Sequence, residues 1–222
     1  MTYNNSIALS VIILSAACAT TPSDPPPSAV LDISAKSCGP SIGLEDWIAL
    51  QPEKKRKQHS VVVPVNSEAP CFTSETGNRN YALMKLPDHG KDELVITIGG
   101  YKEAVRTLAA SVTILREDGS LRRAFEDGDY MSRSNARAIQ FRPREQDHFI
   151  LVETDPAMVG DAVSTVAQNL TSRQNSVYAG GGYTASYSTL RGSETSSHRT
   201  YSHEGAVLVR MQALSGHIGI PE

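Results

Sequence analysis

Between Asn80 and Thr154 the chain repeats one pattern, a short apolar run rich in β-branched residues bounded by turn formers, and this pattern constrains the fold more than any other feature. Leu94-Val95-Ile96-Thr97-Ile98 runs into Gly99-Gly100, a pair expected to end that strand. Ser111 to Leu115 and Leu121 to Phe125 flank Asp118-Gly119, a dipeptide that tolerates the positive φ of a two-residue hairpin loop. Ala136 to Phe141 alternates, and Phe149 to Thr154 reads as a central strand. Ser60 to Val65 is a strand demoted to an edge, because Pro64 cannot donate to a ladder. Asn80 to Leu86 and Gly205 to Met211 complete the set. Short strands at this spacing predict a mainly β fold, an antiparallel β-sandwich of the jelly-roll or immunoglobulin-like type.

One amphipathic helix is expected near residues 156–171. Asp155-Pro156 offers an N-cap followed by proline at the first helical position, and Val159, Val163, Val166 and Leu170 recur at helical spacing. Such a helix would cap an open edge or end of the sandwich.

The N-terminus bears on compartment. Ile7 to Ala17 is an apolar run of signal-peptide length, too short to cross a bilayer core of about 30 Å. Met1 to Ser6 carries no Lys or Arg, so the terminal amine alone supplies positive charge ahead of it. Leu14-Ser15-Ala16-Ala17-Cys18 is similar to a bacterial lipobox, which would lipidate Cys18, although Ser15 stands where Leu is usual. Cleavage after Ala17-Cys18-Ala19 is the competing reading and would release a soluble periplasmic protein. Segments 1–18, 19–29 and 30–213 therefore read as signal peptide, Pro-rich tether and sandwich domain, and 214–222 as a fraying tail. Cys38 and Cys71 remain as an even pair and should form a disulfide, worth on the order of 3 kcal/mol.

Cys38-Gly39-Pro40 marks a turn, and the weak pattern from Ile42 to Leu50 admits a short helix or an irregular strand around Trp47, a core plug or else a sugar-stacking platform. Residues 174–200, rich in Gly, Ser, Tyr and Thr, read as a flexible loop or long hairpin excursion. The functional form of that segment is a flap in which Tyr178, Tyr183 and Tyr187 contact a ligand.

Enzyme motifs are missing from the sequence. The six histidines, at 59, 89, 148, 198, 203 and 217, lack metal-ligand spacing and read as solvated. No Gly-x-Ser-x-Gly elbow occurs, and Gly180-Gly181-Gly182 is not followed by Gly-Lys-Ser/Thr. Glu117, Asp118, Asp127 and Asp129 serve turns, with weak calcium binding as their functional alternative. A hydrolase would need His148 or His203 beside an acid and a nucleophile in a cleft. Net charge of −3 excludes nonspecific nucleic-acid binding, and Lys54-Lys55-Arg56-Lys57 reads as a solvated loop. No catalytic residue, metal or cofactor is expected.

Tyr81 with Leu86-Pro87, Leu94 to Ile98, Val112 to Leu115 before Asp118-Gly119, and Phe149 to Thr154 together resemble the strand pattern of the maltose operon periplasmic protein family (MalM). The resemblance covers about a third of the chain, judged on strand patterning. It implies an exported β-rich domain without enzymatic activity, accessory to carbohydrate uptake, and it transfers no binding residue. The bacterial pre-peptidase C-terminal domain has a similar cadence and implies an accessory binding module. The expected function is a noncatalytic envelope lipoprotein, in the outer membrane facing the periplasm or soluble in the periplasm, that binds a glycan. Its candidate contacts are Trp47, Tyr101, Tyr130, Tyr178, Tyr183 and Tyr187. The alternative is a scaffold of an envelope assembly, in which the Val61 to Val65 edge accepts a strand from a protein partner.

Overall fold

The computed structural model describes residues 25–52, 54–87, 93–133, 136–178 and 184–218, the side chains of 133 and 165–196 excepted. The signal peptide, Cys18 and Tyr183 lie outside the described residues.

The elements are β1 (Trp47–Ala49), β2 (Gln58–Val65), β3 (Cys71–Ser74), β4 (Gly77–Lys85), β5 (Leu94–Tyr101), β6 (Arg106–Leu108) and β7 (Ala110–Leu115). There follow β8 (Leu121–Ala124), β9 (Met131–Arg133), β10 (Ala136–Phe141), β11 (Phe149–Thr154), β12 (Ala162–Tyr178), β13 (Thr184–Ser202) and β14 (Gly205–Ala213). A six-stranded sheet has the order β1-β4-β11-β7-β8, with β3 also on β4, and a five-stranded sheet the order β2-β14-β5-β10-β9. A third sheet joins β12, β13 and β6. Pairing is antiparallel except where β1 meets β4 and β6 meets β13. The fold is thus mainly β and sandwich-like.

Alternation builds the core. Met84, Ile114, Ile150 and Val152 from the six-stranded sheet meet Ile96, Ile98, Ile139, Val207 and Met211 from the five-stranded one in a single buried cluster. Burying side chains of this size stabilises by roughly 1.5–3 kcal/mol each. The intervening residues of the six-stranded sheet form a second cluster on its outer face, Tyr81, Leu83, Leu115, Phe149 and Leu151. Ile42, Leu44 and Phe72 cover it. The 30–46 segment is therefore a strap across the outside of this sheet, fastened by the Cys38–Cys71 disulfide. Polar fastenings supplement the bridge: Lys36 Nζ donates to Asn80 Oδ1 at 2.7 Å, and Gly43 N–H donates to Tyr81 Oη at 2.9 Å.

Several expectations are corrected. Residues 162–171 lie in β12, not in a helix over 156–171, and Asp155-Pro156 opens a turn in which Ala157 N–H donates to Asp155 Oδ1 at 3.0 Å. Register supplies the reason: Val163, Val166 and Leu170 pair with Arg199, Ser196 and Gly192, partners far away in sequence whose ladder outweighs a local spacing that β-branched residues support poorly. Of the two readings of 174–200, a flexible loop or a long hairpin excursion, residues 174–178 and 184–200 follow the second, as arms of the β12–β13 hairpin. Gly99-Gly100 lies within β5 rather than ending it, because a Cβ on Gly99 would stand 2.0 Å from the Arg137 carbonyl oxygen and one on Gly100 2.5 Å from that of Leu108. The loop at Asp118-Gly119 is longer than two residues, since Arg116 N–H bonds the Ser120 carbonyl around Gly119 at φ 79°. Trp47 is 43% exposed and so plugs no core, whereas Ile218 in the expected fraying tail is buried and bridged to Arg56.

Candidate functional site

The inward stripes of β5 and β10 change character at one end of the five-stranded sheet. On β5 the inward positions run Ile96, Ile98, Gly100 and then, by the same alternation, Lys102; on β10 they run Phe141, Ile139 and then Arg137, whose register partner is Gly100. Apolar core gives way to two cations at the mouth of the sandwich. A cleft of about 220 Å³ opens there, between β9–β10 and the root of the β12–β13 hairpin, walled by Lys102, Tyr130, Ser132, Arg137, Ser164 and Tyr201. Gly100 and Gly205 let Leu108 of β6 approach closely, and β6 carries β13 alongside through the Thr107–Tyr201 register.

Tyr130 bridges the two sheets, its Oη accepting from Val112 N–H of β7 at 2.8 Å. The Arg137 guanidinium lies 4.1 Å from the centre of its ring and pairs with Asp127 Oδ1 at 2.8 Å. Lys102 is only 8% exposed, and its Nζ donates to Ser132 Oγ at 2.6 Å. Burial lowers the Lys102 pKa, and the charge of Arg199 pushes the same way. Burial raises the pKa of both Tyr130 and Tyr201, so both phenols stay protonated donors at neutral pH. Ser164 Oγ lies 2.8 Å from His198 Nδ1 at the rim. This arrangement gathers two tyrosines, serine hydroxyls and the cations Lys102 and Arg137 around one small cleft.

Of the aromatic candidates, Tyr130 lines this cleft. Tyr101 ends β5 opposite Ala136, and Trp47 stands at the β1 edge of the other sheet, with Lys85 Nζ 5.4 Å from its ring centre. Tyr178 pairs in register with Thr184, and Tyr187 with Asn175, on the hairpin arms. Sequence reading missed Lys102, Ser132, Arg137 and Tyr201. A signal existed for two of them, since Lys102 and Arg137 continue apolar alternation at inward positions where a charge is out of place.

His203, one of the two histidines named for the hydrolase reading beside His148, shares a second cleft with Asp32 and Ser34. Asp32 Oδ1 accepts from Ser34 N–H at 2.7 Å, and the buried His203 Nδ1 meets no partner among the described residues. The base–nucleophile bond that activates a hydroxyl is not formed there. No group of three or more His, Cys, Asp or Glu among the described residues is placed to hold a metal ion. No family model, no curated protein and no solved structure matches this chain.

Proposed function

We propose that the chain is a noncatalytic cell-envelope lipoprotein, similar to the maltose operon periplasmic family, whose sandwich is of the jelly-roll or immunoglobulin-like type and binds a carbohydrate. The observation that carries the proposal is the cleft at the mouth of the sandwich, where Tyr130 and Tyr201 stand among the donors Lys102, Ser132 and Arg137. Carbohydrate sites combine aromatic walls with a few fixed polar groups in this way. At about 220 Å³ the cleft is smaller than sites for drug-sized ligands, about 300–1,000 Å³, and suits one sugar ring. The envelope part of the proposal rests on the N-terminal sequence, Ile7 to Cys18.

Titration calorimetry of the purified mature protein against neutral and charged oligosaccharides tests this. Binding that is weakened at least tenfold by Tyr201→Ala, with the melting temperature of the variant monitored, is the expected result. No binding to any glycan would remove the proposal. A scaffold role is the second reading, and one observation favours it: among the described residues β2 is an edge strand that pairs with β14 alone, with Val62 52% exposed. Cross-linking in native envelopes separates the two readings, because a scaffold gives one dominant protein adduct.

A further inference from the structure

The candidate cleft contains a buried cation that its lining leaves without an opposite charge. Lys102 is 8% exposed, and among the described residues its ammonium, a group with three donors, bonds the neutral hydroxyl of Ser132 at 2.6 Å. No carboxylate is among the residues that wall the cleft. Of the nearby acids, Asp127 pairs with Arg137 at the rim and Glu103 and Glu204 pair with Arg106, while Asp161, whose charge reaches Tyr201, is not among the residues that wall the cleft. Arg199, whose charge reaches Lys102, adds to the positive field. A buried ammonium without a counter-charge is unfavourable in the empty protein, and an anion seated beside it removes that cost. The hydroxyls of Tyr201, Ser132 and Ser164 around it suit a polyhydroxylated body better than a bare ion.

We infer that the cleft selects an anionic glycan, a sugar bearing a carboxylate or phosphate group, and that Lys102 is its counter-cation. This deepens the proposed carbohydrate binding and rests on it. Arg137 holds the second cationic position, stacked on Tyr130 and turned toward Asp127, so it shapes the rim while Lys102 meets the charge.

The test is titration calorimetry of the purified mature protein with trigalacturonate, glucose 6-phosphate, maltotriose and inorganic phosphate, each at low and at high salt. The expected result is binding of trigalacturonate or glucose 6-phosphate, whichever carries the matching anion, at least tenfold tighter than maltotriose. Affinity should weaken several-fold at high salt and fall at least tenfold in Lys102→Met, a nearly isosteric change expected to keep or raise the melting temperature. Partial retention in Lys102→Arg supports a role for charge. Maltotriose bound as tightly as the charged sugars, with Lys102→Met without effect, overturns the inference while the carbohydrate role stands. Failure of every glycan sinks both, and inorganic phosphate bound as well as any sugar identifies an adventitious anion site and overturns the inference. Should Lys102→Met fail to fold, the wild-type preference and its salt dependence decide alone.

Discussion

Both sheets give one face to the shared core, yet the six-stranded sheet buries much of its other face as well, while the five-stranded sheet leaves polar residues on its own. In β4 and β11 the alternate residues Tyr81, Leu83, Phe149 and Leu151 pack under Ile42 and Leu44 of the strap. The outward positions of β14 and β10 instead carry the exposed residues Arg210, Gln212 and Gln140. One alternation rule thus produces two sequence textures, continuous apolar runs where both faces are covered and polar interleaving where one is open. The cover itself is irregular chain with few apolar residues. It stays in place through point fastenings rather than through a secondary structure of its own.

The largest effect should come from cutting the strongest fastening. Cys38 and Cys71 are 33 residues apart, so their bridge is worth on the order of 3–4 kcal/mol from loop closure alone. Cys38→Ser with Cys71→Ser should lower the denaturation midpoint accordingly and increase binding of a hydrophobic dye as the second cluster loses its cover. An unchanged midpoint would mean that the strap holds without its bridge.

A smaller contrast compares the two outer faces directly. Leu83 is fully buried beneath the strap, and Leu83→Ala should cost about 2–5 kcal/mol. Val62, 52% exposed on the five-stranded sheet, should tolerate Val62→Thr within about 0.5 kcal/mol. Urea denaturation of the two variants measures the difference, and equal costs would refute the asymmetry of the faces.

The same asymmetry explains how far the sequence could be read. The strands β4, β5, β7, β10 and β11 were legible because period-2 packing leaves a local mark in β-branched residues. The strap was not, since Ile42 and Leu44 cover a face as isolated apolar residues among Gly, Ser and Glu, and no period records that job. The 162–171 stretch of β12 was misread as a helix because its evidence is a ladder whose partners, such as Val163 and Arg199, are 36 positions apart. Within the candidate site, the tyrosines drew attention by residue type. Lys102 and Arg137 were marked in the sequence only as charges continuing an apolar alternation, and that they share one cleft becomes visible only once the strands are paired, Arg137 opposite Gly100.

The smallest effect concerns the first fastening of the strap, and it depends on pH. His203 N–H donates to the Val30 carbonyl at 2.9 Å, and Asn80 Nδ2 donates to the His203 carbonyl at 3.0 Å, so the residue joins the start of the strap to the body. The residue is 7% exposed, and burial lowers its pKa from the ordinary 6.5, with Asp32 drawing it part of the way back. Between the folded pKa and 6.5 the unfolded chain therefore binds more protons than the folded one. Stability is full above that window and falls as the pH drops through it. His59 shifts in the same direction through burial and Arg56, whereas Glu153, raised by burial, acts oppositely at lower pH. The wild-type curve combines these groups with the lowered carboxylates Asp32 and Asp118 at its acid end, so only a variant isolates His203. His203→Gln should flatten the loss of melting temperature between pH 7.5 and 5, and the amide protection factors at Val30 to Ile33, corrected for the intrinsic pH dependence of exchange, should fall on acidification in the wild type alone. Parallel curves for the two proteins would assign the acid sensitivity to groups outside the strap.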